Sequence, residues 1–224
     1  MSLRGAIFDF DGLILDTESA EFVALGEVYR RHGATLEFKD YSICIGTANA
    51  FDPVSHLEGL LGRRIDRTAV AAEMHKAHME NVAEAAVFPG VVERLEEGRV
   101  MGIKMGVASS SSGNWVENHL REKGLRGYFD EIVVRSDTLP AKPAPDLYLV
   151  ALSRLGLRAD EAVAIEDSVH GIEAAKKAGI FCLAVPNELT RRMDMSGADL
   201  VVASLNEITL ARLAGMIGAA QRGR

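Results

Sequence analysis

Short apolar runs alternate along most of this chain with single helical patterns, and one long stretch breaks the alternation. Residues 5–10 read Gly-Ala-Ile-Phe-Asp-Phe and lead into Asp11-Gly12. Their length and their β-branched and aromatic content fit a buried strand that runs into a turn. The runs at 103–109, 131–134, 162–165 and 180–185 read the same way, with a weaker sixth at 199–202. Helical patterns at 145–155 and 169–178 stop at Gly156 and Gly179, and glycine just past the last periodic residue is a usual helix stop. Strands joined by single helices require a parallel sheet covered on both faces. The expected fold class is therefore α/β, with a Rossmann-like doubly wound parallel sheet as its core.

The break runs from about Asp16 to Val87, where helical patterns at 17–32, 50–61 and 67–86 succeed one another without a convincing strand. Helices inserted after the first strand of such a sheet predict a separate helical domain at 16–87, leaving 1–15 and 88–224 as the α/β core. Phe88-Pro89-Gly90 marks the return to the sheet.

Charge narrows the partners. The formal net charge is −7, from 25 basic and 32 acidic side chains, and there is no basic run, which disfavours nucleic acid and anionic membrane surfaces. No apolar run approaches the roughly 18 residues of a membrane span. No signal peptide is visible before the first strand. Cys44 and Cys182 lie far apart in apolar settings and read as buried reduced thiols. The expectation is a cytoplasmic protein acting on small molecules, as a monomer or weak dimer.

In an open parallel sheet, function gathers at the carboxyl ends of the strands. The residues that fall there are Asp9 and Asp11, Ser109 within a run of four serines, Lys142, and the pair Glu166-Asp167. Clustered carboxylates are costly in a partly dry site unless a cation neutralises them. Oxygen ligands without His or Cys suit Mg²⁺, which also bridges phosphate oxygens. Hydroxyls and backbone N–H groups at a strand-to-helix turn cradle phosphate, and a lysine neutralises it. An ionised carboxylate can attack phosphorus. A second one two residues on can protonate the leaving oxygen and then activate water. Asp9 and Asp11 fit these two roles, with Gly12 permitting the sharp turn between them and the next element.

Four segments in order carry a family resemblance: 9–18 (Asp-Phe-Asp-Gly-Leu-Ile-Leu-Asp-Thr-Glu), Val107-Ala108-Ser109, Lys142-Pro143-Ala144-Pro145-Asp146 and Glu166-Asp167-Ser168. They resemble the four motifs of the haloacid-dehalogenase-like superfamily, and the insert at 16–87 is similar to its helical cap of the first type. The subgroup it most resembles contains phosphoglycolate phosphatase-like and β-phosphoglucomutase-like enzymes. The resemblance implies a phosphatase in which Asp9 is phosphorylated and Asp11 is the general acid and base. It implies Mg²⁺ held by Asp9, the backbone carbonyl of Asp11 and Asp167, with Glu166 supporting, and a phosphoryl group held by Ser109, Ser110 and Lys142.

In the cap, Glu18, Glu21 and Thr47 are the candidate substrate residues. The mutases carry a histidine where this chain has Glu21, and an arginine in the loop at 46–52, which here holds no basic residue. Without that cation a second phosphate is poorly compensated, unless Arg63 or Arg64 substitutes, so hydrolysis is preferred to β-phosphoglucomutase-like transfer. A phospho-accepting signalling module shares the strand-end acids but has no cap.

Blander roles stand beside these. Asp16 and Glu18 could cap the first cap helix, Asp146 reads as a helix N-terminal charge, and Ser110, Ser111 and Ser112 could form only a turn and cap. His75 and His78 read as a solvated face, His170 as a residue rimming the site, and Trp115 as packing for its own helix.

Overall fold

The computed structural model describes residues 3–222, with side chains described through residue 219. Its sheet has six parallel strands, β1 (Gly5–Phe8), β2 (Lys104–Ser109), β3 (Glu131–Val134), β4 (Ala162–Glu166), β5 (Phe181–Ala184) and β6 (Leu200–Val201), in the order β3-β2-β1-β4-β5-β6. Chain order reverses at β1, which pairs with β2 on one side and β4 on the other. A ligand crevice is expected at that reversal, beyond the carboxyl ends of the strands.

Both faces of the sheet are covered, and successive strand residues alternate between them. Ala6, Phe8, Val107, Val163 and Ile165 share one apolar cluster with α5 (Val91–Met101), α6 (Gly113–Glu122) and α9 (Leu210–Arg222). Ile7, Ala108, Ala162, Ala164 and Cys182 face α7 (Asp146–Leu155) and α8 (Val169–Lys177). Period-two alternation with apolar groups on both sides explains why these strands read as unbroken apolar runs. β1 is shorter than the run at 5–10, because after Phe8 the chain coils into a turn in which Ile14 N–H donates to Phe10 C=O.

The insert is helical throughout: α1 (Thr17–Arg31), α2 (Phe38–Tyr41), α3 (Pro53–Leu61) and α4 (Arg67–Ala83). These helices surround a third apolar cluster, built on Leu25, Val28, Tyr29, Tyr41, Ile45 and Leu57, which among the described residues reaches the sheet portion at Leu189 and Met193. The chain enters and leaves through adjacent positions, since Leu15 and Val87 form an antiparallel bridge. Asp16 caps α1 by accepting from Ser19 N–H. The pattern at 50–61 becomes a helix only at Pro53, because Asp52 caps it and Asn49 takes a left-handed conformation. Cys182 is buried, whereas Cys44 is only partly so, and both are free. No helix among the described residues is long and apolar enough to cross a membrane.

Candidate functional site

Where β1 ends, Asp9 N–H still donates to Ile165 C=O, so the backbone holds the Asp9 carboxylate in register with the end of β4. Lys142, from the loop before α7, is fully buried and places Nζ 2.7 Å from Asp9 Oδ1 and 2.6 Å from Glu166 Oε1. Tyr148 of α7 donates its hydroxyl to the same Glu166 oxygen. Gly171, in the first turn of α8, is what allows that helix so near. A Cβ there would lie 1.9 Å from Glu166 Oε2. Asn187 Nδ2 donates to Asp167 Oδ2 and to Gly12 C=O, both at 2.9 Å. Gly12 sits at φ +79°, and a Cβ on it would come within 2.4 Å of Asp167 Oδ2.

Three buried carboxylates thus crowd together with one ammonium, which contacts two of them. One oxygen each from Asp9, Glu166 and Asp167 lie within 4.8 Å of one another. Asp167 Oδ1 and Glu166 Oε2 are buried with no hydrogen-bond partner. Burial pushes Asp9 up to about 7 even though Lys142 opposes it, with Glu166 adding to the rise. Burial, then the charges of Asp9 and Glu166, hold Asp167 well above the usual carboxylate range. For Lys142 burial favours the neutral amine, and the two carboxylates outweigh it. The cluster is short of positive charge. All-oxygen donors with orphaned lone pairs are what a hard divalent cation requires, so the residues present fit Mg²⁺.

Asp11 faces away from this cluster and is not part of it through its carboxylate. It accepts from Thr17 Oγ1 (2.7 Å), Ser111 Oγ (2.6 Å), Trp115 Nε1 (2.8 Å) and, at 3.3 Å, Ser109 Oγ. It lines a cavity of about 340 Å³ between the sheet edge and the helical insert. The opposite wall carries Glu18 and Glu21, both receiving the Tyr41 hydroxyl, at 3.1 and 2.9 Å. One hydroxyl proton cannot satisfy two carboxylates at once. Burial, reinforced by the charges of Asp11 and Glu21, pushes Glu18 up to about 8. A neutral Glu18 resolves the conflict.

The insert is seated on the sheet by the loop at 45–47. Gly46 N–H donates to Glu18 Oε1, and Gly46 C=O accepts from Ser110 Oγ. Thr47 Oγ1 donates to Lys142 C=O, and His170 Nδ1 lies 2.8 Å from Ile45 C=O. At φ +76°, Gly46 packs so closely that a Cβ would fall 2.1 Å from Ser168 Oγ.

Other candidate side chains have partners of their own. Ser110, read as a phosphate ligand, has its hydroxyl engaged between Gly46 and the Lys142 amide. Ser111, read as a turn residue, is the one bound to Asp11, and Ser112 caps α6. Glu18 caps nothing. His78 is not on a solvated face: it lines the cavity, 5.5 Å from the Trp115 ring, with Nε2 buried and unpartnered, and burial lowers its pKa. His75 is exposed. His170 ties the insert down rather than merely rimming the site. Arg64 pairs with Glu58, and neither it nor Arg63 reaches the cavity wall. Trp115, expected only to pack its own helix, also donates to Asp11 from the first turn of α6. Arg135 and Asn187 are not among the residues singled out in the sequence, although each lies just beyond the end of a strand, where the same rule could have found them.

This arrangement on this sheet is that of a known class. Residues 6–185 match the profile of the haloacid dehalogenase-like hydrolases, and the chain belongs to that family. It is an enzyme of the family's phosphatase kind. Bacillus subtilis YhcW, named as a candidate phosphatase, is 37% identical over 94% of this chain and 96% of its own. The phosphorylated carbohydrates phosphatase of Thermotoga maritima is 31% identical over 80% and 82%. Among solved structures, a mutant CbbY from Rhodobacter sphaeroides in complex with xylulose-(1,5)bisphosphate superposes with a TM-score of 0.74. It is 27% identical, over 93% of this chain and 98% of that one.

Proposed function

We propose that this protein is a magnesium-dependent phosphatase that hydrolyses a small sugar phosphate or similar monoester through an aspartyl-phosphate at Asp9. The observation that carries this reading is the buried cluster of Asp9, Glu166 and Asp167 around Lys142, with two orphaned carboxylate oxygens at the sheet edge. Asp9, Asp167 and the Asp11 carbonyl would hold Mg²⁺, with Glu166 supporting through Lys142. When bound, the ion supplies positive charge to the phosphoryl oxygens and lets Asp9 stay ionised beside its neighbours.

The chain's own groups do the rest. An Asp9 oxygen attacks phosphorus in line while Asp11 gives its proton to the departing alcohol oxygen. Lys142 offsets the charge that gathers on the phosphoryl group. Ser109 Oγ accepts from Ser111 N–H, which leaves its own proton for Asp11 or for a phosphoryl oxygen. Asp11 then takes a proton from water, which splits the phospho-aspartate and frees inorganic phosphate. The insert at 16–87 acts as a cap that excludes bulk water and selects the alcohol portion, while 1–15 and 88–224 form the catalytic domain. Glu18, Glu21 and Tyr41 suit an alcohol portion rich in hydroxyls. The small-metabolite relatives of the family support this substrate class.

The test is phosphate release from a panel of sugar phosphates and phosphoglycolate, with and without Mg²⁺. Asp9→Asn is expected to lower kcat by at least about 10⁴-fold with an unchanged far-ultraviolet spectrum. Turnover by a folded Asp9→Asn would remove the nucleophile assignment. Net isomerisation of β-glucose 1-phosphate with little free phosphate would replace hydrolysis by phosphoryl transfer.

A further inference from the structure

The cavity above Asp11 is polarised. Its helical wall carries Glu18, Glu21 and the Tyr41 hydroxyl, whereas its sheet wall carries Ser110, Ser111, Ser112 and Arg135. Arg135 is the one lysine or arginine among the described residues that line it. The residue comes directly after β3, and its N–H donates to Ser109 C=O at 3.2 Å, which fixes it beside the serine loop at the carboxyl edge of β2.

What sets Arg135 apart is that no hydrogen bond or ion pair among the described residues uses its guanidinium. Its Nε is buried without a hydrogen-bond partner. The other arginines and lysines near burial are spent: Lys142 on Asp9 and Glu166, Arg94 on Glu97 and two carbonyls. Desolvating part of a guanidinium without a partner is costly, and three acids stand around the same cavity without turning to it. A guanidinium with its donors free offers a fork to an oxyanion.

We infer that Arg135 receives a second anionic group on the substrate, carried by the alcohol portion that leaves when the ester is split. The preferred substrates are then small, doubly anionic phosphate esters, whose far end bears a further phosphate or a carboxylate. This rests on the cavity being the substrate site of the phosphatase proposed above. It also supplies, from the sheet side, the cation that the loop at 46–52 lacks. Hydroxyls between the two anions face Glu18, Glu21 and Tyr41.

The experiment compares the unmodified protein with Arg135→Gln and Arg135→Lys on three esters: a sugar monophosphate, a sugar bisphosphate and phosphoglycolate. Arg135→Gln is expected to lower kcat/KM for the doubly anionic esters by roughly 10- to 100-fold, mostly through KM. The loss on the monophosphate should stay within about threefold, and Arg135→Lys should recover part of the loss. The bisphosphate and phosphoglycolate arms identify whether phosphate or carboxylate is the preferred far group. Equal losses on all esters, or none, would overturn the assignment.

Calorimetric binding of the same esters to Asp9→Asn, with and without Arg135→Gln, makes the comparison without chemistry. Tighter binding of a doubly anionic ester that disappears with Arg135→Gln supports the inference. No such preference overturns it. Failure of the phosphatase reading shows separately, as no phosphate release from any ester by the unmodified protein.

Discussion

On the sheet edge, Asp9 and Glu166 share the ammonium of Lys142, with Asp167 beside them and no cation of its own; on the helical wall opposite, Glu18 and Glu21 share the hydroxyl of Tyr41 and no cation. Both clusters are rich in carboxylates, the first buried and the second partly open to the cavity, and they resolve the same electrostatic conflict differently. At the sheet edge a lysine is spent, and the remaining deficit fits a divalent ion. On the helical wall one carboxylate keeps its proton. The first arrangement holds charge, as an attack on a phosphoryl group needs. The second presents carboxyl oxygens and a phenol hydroxyl, which suits the proposed recognition of substrate hydroxyls.

The largest expected effect breaks the sheet-edge cluster. Lys142→Met leaves Asp9 and Glu166 buried and unpaired, which is expected to cost about 3–5 kcal/mol of stability along with turnover. Urea denaturation measures it. Glu21→Gln, on the opposite wall, removes no cation and should change stability by less than about 1 kcal/mol. Equal costs at the two positions would erase the distinction.

Asp167→Asn sharpens it. The unmodified protein should gain about 2–3 kcal/mol when Mg²⁺ is present at about a hundred times its dissociation constant. The variant should lose most of that gain, because Asp167 Oδ1 is an orphaned buried oxygen that the ion would engage. The checking measurement is the Mg²⁺-dependent shift in Tm, with a chelator as the zero. A full shift in the variant would place the ion elsewhere.

Trp115 joins the two walls, since its indole N–H donates to Asp11 and its ring lies against His78 of α4. Trp115→Phe keeps an aromatic ring in place and removes the donor. The expected result is about a tenfold fall in kcat with KM within about twofold, the signature of a misplaced proton donor. A change in KM alone would mean that Trp115 only shapes the cavity.

These positions differ in how visible they were in the sequence. The sheet was legible because strands buried on both faces are continuous apolar runs, and glycines mark the helix stops. Asp9, Lys142, Glu166 and Asp167 were legible as a group because fold logic sends all strand ends to one edge. The helical wall was not legible in the same way. Glu18 and Glu21 stand three apart on α1, but nothing local indicates that Tyr41, about twenty residues on, returns to cover both. Ser110 and Ser111 are chemically identical in the sequence, and only the seating of Gly46 decides which of them faces Asp11. Trp115 and His78 meet across a long stretch of chain and two portions of the fold, a contact no periodicity announces.

The smallest effect tests the helical wall itself. Glu18 has a folded pKa of about 8 against an ordinary 4.5, so the folded state binds the proton more tightly than the unfolded chain does. Its contribution to stability is therefore intact below about 4.5 and is lost as pH rises to about 8. Glu18→Gln removes that titration while leaving an oxygen to accept from Gly46 N–H. The side chain is partly open to the cavity, so the effect is discounted to about 1 kcal/mol. Stability of the two proteins, measured in Mg²⁺ buffer at about pH 5 and about pH 8, should diverge in favour of the variant at the higher pH. Parallel pH curves would mean that Glu18 is ionised in the folded protein across this range. The helical wall would then need a cation of its own, and its contrast with the sheet edge would fall.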